Sequence, residues 1–294
     1  MKNGGFQEHL YSIYALLFIL CFTYLDASVH HITPASDDPC IPTCLTLNQF
    51  AANSSHYLSL NTTLFLLPGR HILSTELDIA NRTSFTMTSI NTTAKIQCQT
   101  FSFISFQNTL NVHITNVEFL GCGGNQVHDV NKLVLSDARF EGQEGSGTAL
   151  ELTDTNAELT NVSLLSNTNG SFRHLRKQLE LIREIFGAQD FKINTYNTWI
   201  GGAIIANCSN ISITSSIFEN NSAKVGGVLF VQESSVTINN TAFIENHIRD
   251  GQLLQSLTIG GVIYLEKSHT VMNNCHFGEN DALIGGSLYA HLGS

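Results

Sequence analysis

Charge is what this sequence has least of. Charged residues make up 13% of 294, about half the share of an ordinary soluble protein. Only 14 residues are Lys or Arg, against 24 Asp and Glu. A net charge of −10 with so few cations argues against nucleic acid as a partner, because phosphate binding needs concentrated Lys and Arg. It argues equally against a strongly anionic polymer, unless a cation bridges the two. There is no phosphate-cradling glycine loop and no nucleophile elbow, so no cofactor is implied. Cys40-Ile-Pro-Thr-Cys44 lacks the second ligand pair that zinc requires, so no metal site is implied either. The apolar stretch from Leu10 to Leu25 is too short to span a bilayer.

That stretch reads instead as a secretory leader occupying residues 1–27, with Lys2 before it and Ala27 as the small residue at its end. The mature chain then carries no integral membrane span, and it belongs outside the cell or on its surface. Asn-x-Ser/Thr sequons at Asn53, Asn61, Asn81, Asn91, Asn161, Asn169, Asn207, Asn210, Asn220 and Asn239 agree with that route. Six cysteines remain beyond the leader, at positions 40, 44, 98, 122, 208 and 275. They are compatible with disulfides and formally allow 15 pairings.

Ser, Thr and Asn take the place of the missing charge, and they recur with a period. Three units run from a glycine pair to a Phe-x-x-Asn. They are Gly201-Gly202 to Phe218 and Asn221, Gly226-Gly227 to Phe243 and Asn246, and Gly260-Gly261 to Phe277 and Asn280. Glycine to Phe is 17 residues in each, and Phe to Asn is 3. A fourth unit opens at Gly285-Gly286. Unit starts are separated by 25, 34 and 25 residues, so the middle step is one unit plus a nine-residue insertion near 247–255. Gly147 to Leu164 and Asn167 keeps the same spacing with Leu in place of Phe. Further upstream only the strand-and-Phe half survives, at Val112–Phe119 and Lys132–Phe140.

Short alternating runs such as Ile211-Ser212-Ile213 follow strand period, and Gly, Asn and Ser punctuate them before any helix-length pattern forms. A 25-residue unit of short strands cannot bury its apolar face alone. Stacked coil on coil at ~4.8 Å, it can. The sequence therefore predicts an all-β parallel β-helix solenoid over residues 61–294, preceded by a cysteine-containing lead-in or cap at 28–60. Phe218, Phe243 and Phe277 should stack inside it, and Asn221, Asn246 and Asn280 should form a turn ladder. The glycine pairs should supply tight bends.

The Gly-Gly-aliphatic … Phe-x-x-Asn pattern resembles the repeats of polymorphic outer membrane proteins and related right-handed β-helix domains. Leu64–Leu73 resembles the first coil of pectin-lyase-like helices. The resemblance implies a right-handed parallel β-helix and says little about function, since adhesins and enzymes share the fold. This chain departs from the bacterial members in having no C-terminal barrel segment.

Two insertions break the rhythm. Between Asn169 and Trp199, the residues Phe172, Leu175, Leu179, Ile182 and Phe186 recur at helical spacing, and the region holds five of the chain's basic residues. It reads as an amphipathic helix lying on the stack, with a helix that contacts a partner or a membrane as the alternative. Leu45–Leu60 suits a short helix closing one end. Cys98 and Cys122 are 24 residues apart, close to one coil, and should be bonded. Cys208 and Cys275 lie two coils apart in different phases and should not be joined to each other. The stop at Ser294, ten residues into a repeat, reads as truncation.

No catalytic set is evident. Asp129, Asp137 and Asp154 fall on successive coils in differing phases, and Glu219, Glu245 and Glu279 read as an exposed turn edge. No Gly-His-Gly or Arg-x-Lys pair of the pectinase type occurs. The sequence thus points to a non-catalytic secreted scaffold for adhesion, matrix or glycan and protein binding. The alternative is an extracellular polysaccharide lyase or glycoside hydrolase.

Overall fold

Strand alternation sets the shape of each coil. The coil opening at Ile204 contains Ile204–Asn207, Asn210–Thr214 and Ile217–Glu219. Each of these pairs in parallel with its counterpart 25 residues on: Leu229–Gln232, Ser235–Asn239 and Ala242–Ile244. Those pair in turn with Ile263–Glu266, His269–Asn273 and His276–Gly278. The result is an all-β parallel solenoid. The computed structural model describes residues 27–34, 45–89, 92–99, 103–142, 148–167, 201–223, 225–247, 260–282 and 284–291.

Third strands line up as an eight-stranded sheet, and first and second strands merge into one sheet of sixteen. The merger arises in two coils where a single twelve-residue strand, Ile104–Thr115 or Asn125–Ser136, spans the first corner. Inward positions carry the apolar core, including Leu229, Val231, Val236, Ile238 and Phe243 in one coil. Phe218, Phe243 and Phe277 stack with centroids 5.0 and 4.9 Å apart. Phe119 and Phe140 form an earlier stack at 4.6 Å, and Leu164 lies between the two runs in register.

Each corner turns on one residue in the left-handed region, which suits Asn and Asp best among residues with a side chain. The first corner uses Asn108, Asp129, Asp154, Cys208, Glu233 and Lys267. The second uses Asn116, Asp137, Asn161, Ser215, Asn240 and Asn274. At the third stand Ser166, Asn220, Glu245 and Glu279.

The two glycines of each pair do different work. Gly201, Gly226, Gly260 and Gly285 have φ between +58° and +64°, where a side chain is strained. Gly202, Gly227 and Gly261 do not. A Cβ on any of them would collide with the carbonyl oxygen of the glycine one coil above. One glycine answers the backbone angle and the other answers the close stacking of coils.

The stack begins earlier than residue 61. Ala27–Thr33 pairs in parallel with Asn61–Leu66, so this lead-in segment is already part of the sheet. Two short helices follow it, α1 (Leu47–Ala52) and α2 (Ser54–Tyr57). A reciprocal capping box between Thr46 and Gln49 starts α1, and Leu47 and Phe50 are buried in the same core as the strands. A disulfide joins Cys98 to Cys122 with their Cα atoms 5.0 Å apart, tying adjacent coils. No described helix is long and apolar enough to cross a membrane. All of the expected leader except Ala27, together with Cys40, Cys44, Asn91, Asn169, the segment 169–199 and most of the second insertion, lies outside the described residues.

Candidate functional site

Side chains buried at the corners mostly serve the stack. Asn221 and Asn246 show the pattern. The Asn221 backbone N–H and Nδ2 both donate to Asn246 Oδ1 at 3.0 Å, and Nδ2 also donates to the Leu164 carbonyl at 2.9 Å. Asn246 repeats this toward Asn280, and Asn167 toward Asn221. Hydroxyls do the same at the other corners. At the first, Thr155 N–H donates to Ser209, Ser209 N–H to Ser234 and Ser234 N–H to Ser268. At the second, Val162 N–H donates to Ser216 and Ser216 N–H to Thr241. A buried amide or hydroxyl must find a partner, and here that partner is the next coil. Cys275 continues the second of these rows, its Sγ facing the Asn273 carbonyl as Thr241 faces that of Asn239. Cys208 sits at the first corner, so the two thiols are on different ridges and neither is in a disulfide.

Chemistry directed at a ligand must therefore come from outward positions. The acidic residues sort differently from their sequence order. Asp129 and Asp154 share a phase, because His128 pairs with Thr153 and each Asp is the next residue. Their expected difference in phase does not hold. Asp137 does stand apart, at the second corner, where Asn161 Nδ2 donates to it at 2.6 Å. Glu245 and Glu279 share the third corner, whereas Glu219 pairs with Ile244 inside a strand. The run of three glutamates is thus a pair and an outlier.

On the outer face of the eight-stranded sheet, Arg70, Lys95, Glu118 and Arg139 stand in one column on successive coils. Lys95 Nζ lies 2.9 Å from Glu118, Arg139 Nε lies 3.2 Å from the same carboxylate, and Arg139 also pairs with Glu141 at 2.8 Å. Glu118 thus answers Lys95 and Arg139 together, and Glu141 answers Arg139 as well. Ile217 is exposed further along this face. Among the described residues, no sequon asparagine lies on any of its strands. Asn61, Asn207, Asn210 and Asn239 lie on the larger sheet, Asn81, Asn161 and Asn220 at left-handed corners, and Asn53 caps α1.

The larger sheet carries a second outward feature. Phe230, Tyr264 and Tyr289 stack at 5.1 and 5.5 Å. Alternation points them away from the core, since Ile263 and Leu265 on either side of Tyr264 face inward. Tyr264 is nonetheless buried, as is Glu266 two residues on. Burial, reinforced by the Glu266 and Tyr289 charges, pushes the Tyr264 hydroxyl well above the usual phenol range. The glycine-to-Phe-to-Asn spacing leaves this feature out, since Phe230, Tyr264 and Tyr289 are none of the three marks. Their identical offset from Gly226, Gly260 and Gly285 was the available signal.

Against known proteins, no family model and no curated protein sequence matches the chain.

Proposed function

We propose that the chain is a secreted or cell-surface, non-catalytic β-helix protein whose outer surface serves as a scaffold for adhesion, matrix contact or glycan and protein binding. The observation that carries this reading is the eight-stranded face. It extends over about 34 Å at ordinary strand spacing, bears no sequon asparagine among the described residues, and holds the carboxylates of Glu118 and Glu141 in ion pairs with Lys95 and Arg139. Carboxylates occupied in this way suit a contact surface better than acid–base chemistry, which needs positioned groups within reach of a substrate proton. The right-handed, pectin-lyase-like and outer-membrane-repeat affinities belong to the same proposal, and the Phe stack and Asn ladder support them.

The alternative of a polysaccharide lyase or glycoside hydrolase draws on Glu266 beside the Phe230–Tyr264–Tyr289 stack. A glycan array combined with a uronide-release assay on the purified glycoprotein separates the two. The scaffold reading predicts selective retention of a glycan, or of none, with no release of reducing ends or unsaturated uronides. Product release that disappears in Glu266→Gln would replace it with the enzyme.

A further inference from the structure

We propose that His128, Asp129 and Asp154 form a binding site for a borderline divalent cation of the Zn2+ or Mn2+ kind. The fold itself assembles the set. His128 ends the first-strand stretch of its coil, and Thr153 is its partner one coil on. The next residue in each coil, Asp129 and Asp154, takes the left-handed corner conformation, with φ of 52° and 50°. That stacks the two carboxylates on one exposed ridge. The imidazole enters from the side, with Nε2 3.1 Å from Asp129 Oδ2.

One ligand atom from each residue lies within 4.8 Å of the others. Two ligands on opposite sides of a cation stand about 4–4.8 Å apart at bond lengths of about 2.0–2.4 Å. The three exposed side chains thus need only small rotations to bring their ligand atoms into one coordination sphere, with positions left open for water. The donor set is not carboxylate alone, and its composition sets the class of ion. An imidazole nitrogen disfavours Mg2+ and Ca2+, which want oxygen, and the absence of thiolate disfavours Cu+.

A second observation comes from the same ridge. Further along, the carboxylate of Glu233 is answered by Lys267 at 3.8 Å. Asp129 and Asp154 instead set like charge on like charge, and neither forms an ion pair with Lys or Arg among the described residues. Lys132 nearby is paired with Glu158 at 3.1 Å. Like charges directly opposite across a strand pair are destabilising, and a bound cation reverses the sign of that contact.

The test is isothermal titration of the intact, untagged chain with ZnCl2, MnCl2 and CaCl2 separately. It compares the wild type with His128→Gln, Asp154→Asn and the control Asp137→Asn. All titrations are repeated in Cys208→Ser, since the Cys208 thiol is next on the ridge and would compete for Zn2+. The proposal predicts one saturable site for Zn2+ or Mn2+ that persists in Cys208→Ser. Affinity should fall about tenfold or more in His128→Gln and in Asp154→Asn, and stay unchanged in Asp137→Asn. All three side chains are exposed, so circular dichroism should report wild-type folding in every variant. Absence of saturable binding, wild-type affinity in either ligand variant, or preference for Ca2+ would each overturn it.

Discussion

Glycines 227 and 286 occupy the same place in repeats two coils apart and meet opposite surroundings. A Cβ on Gly227 runs into the backbone of Gly261, whereas nothing lies within 4 Å of one on Gly286. Gly227→Ala should therefore lower the unfolding free energy by about 2 kcal/mol or more, and Gly286→Ala should change it by less than about 0.5 kcal/mol. Urea denaturation of the two variants checks the contrast. His71 makes a second prediction. It is buried, with Nε2 2.8 Å from the Leu67 carbonyl, and burial holds its pKa below the usual histidine value. The unfolded chain then takes up the proton first, so stability is full above about pH 6.5 and declines as pH falls toward the folded-state value. Urea midpoints measured at neutral pH and near pH 5 should show that decline, and His71→Leu should flatten it. At this scale the sequence was half legible. The Asn ladder was readable because Phe-x-x-Asn keeps its spacing. The left-handed corners were not, because Asp, Cys, Glu and Lys occupy equivalent places there, and only backbone geometry unites them.

Elements were legible where coils are regular. Upstream, strands such as Ile104–Thr115 pass through a corner that later coils mark with a break, so the repeat seemed to lose its first half. Ala27–Thr33 escaped notice for a different reason. Its alternation is carried by Val29, His31 and Thr33 against Ser28, His30 and Ile32, which gives little apolar contrast. The phase shared by Asp129 and Asp154 was hidden likewise, since counting from glycines fails in coils that lack the pair. The disulfide was readable because 24 residues is nearly one coil. It closes a loop of that length in the unfolded chain, so Cys98→Ala/Cys122→Ala should cost about 3 kcal/mol. Thermal unfolding beside the parent should show a lower midpoint, and addition of reductant should lower only the parent.

For the molecule as a whole, the claim is that the coil is the structural unit and that the outer surface is what remains for recognition. In a solenoid each coil touches only its neighbours, so stability is close to a sum of coil and interface terms. Insertions are then tolerated at corners while strand phase is not negotiable. The separations in the Asn ladder show this, at 54, 25 and 34 residues with the same hydrogen bonds each time. The most direct measurement removes one coil. Deleting residues 204–228 joins Ala203 to Leu229, and every later side chain keeps its face. Deleting 204–216 joins Ala203 to Ile217 and throws the following strands out of phase. Circular dichroism with urea unfolding should find the first variant β-rich and cooperatively folded, with a modest loss of stability, and the second unfolded or aggregated. Equal tolerance of both deletions, or collapse of the in-phase one alone, would contradict the coil as the unit of this structure.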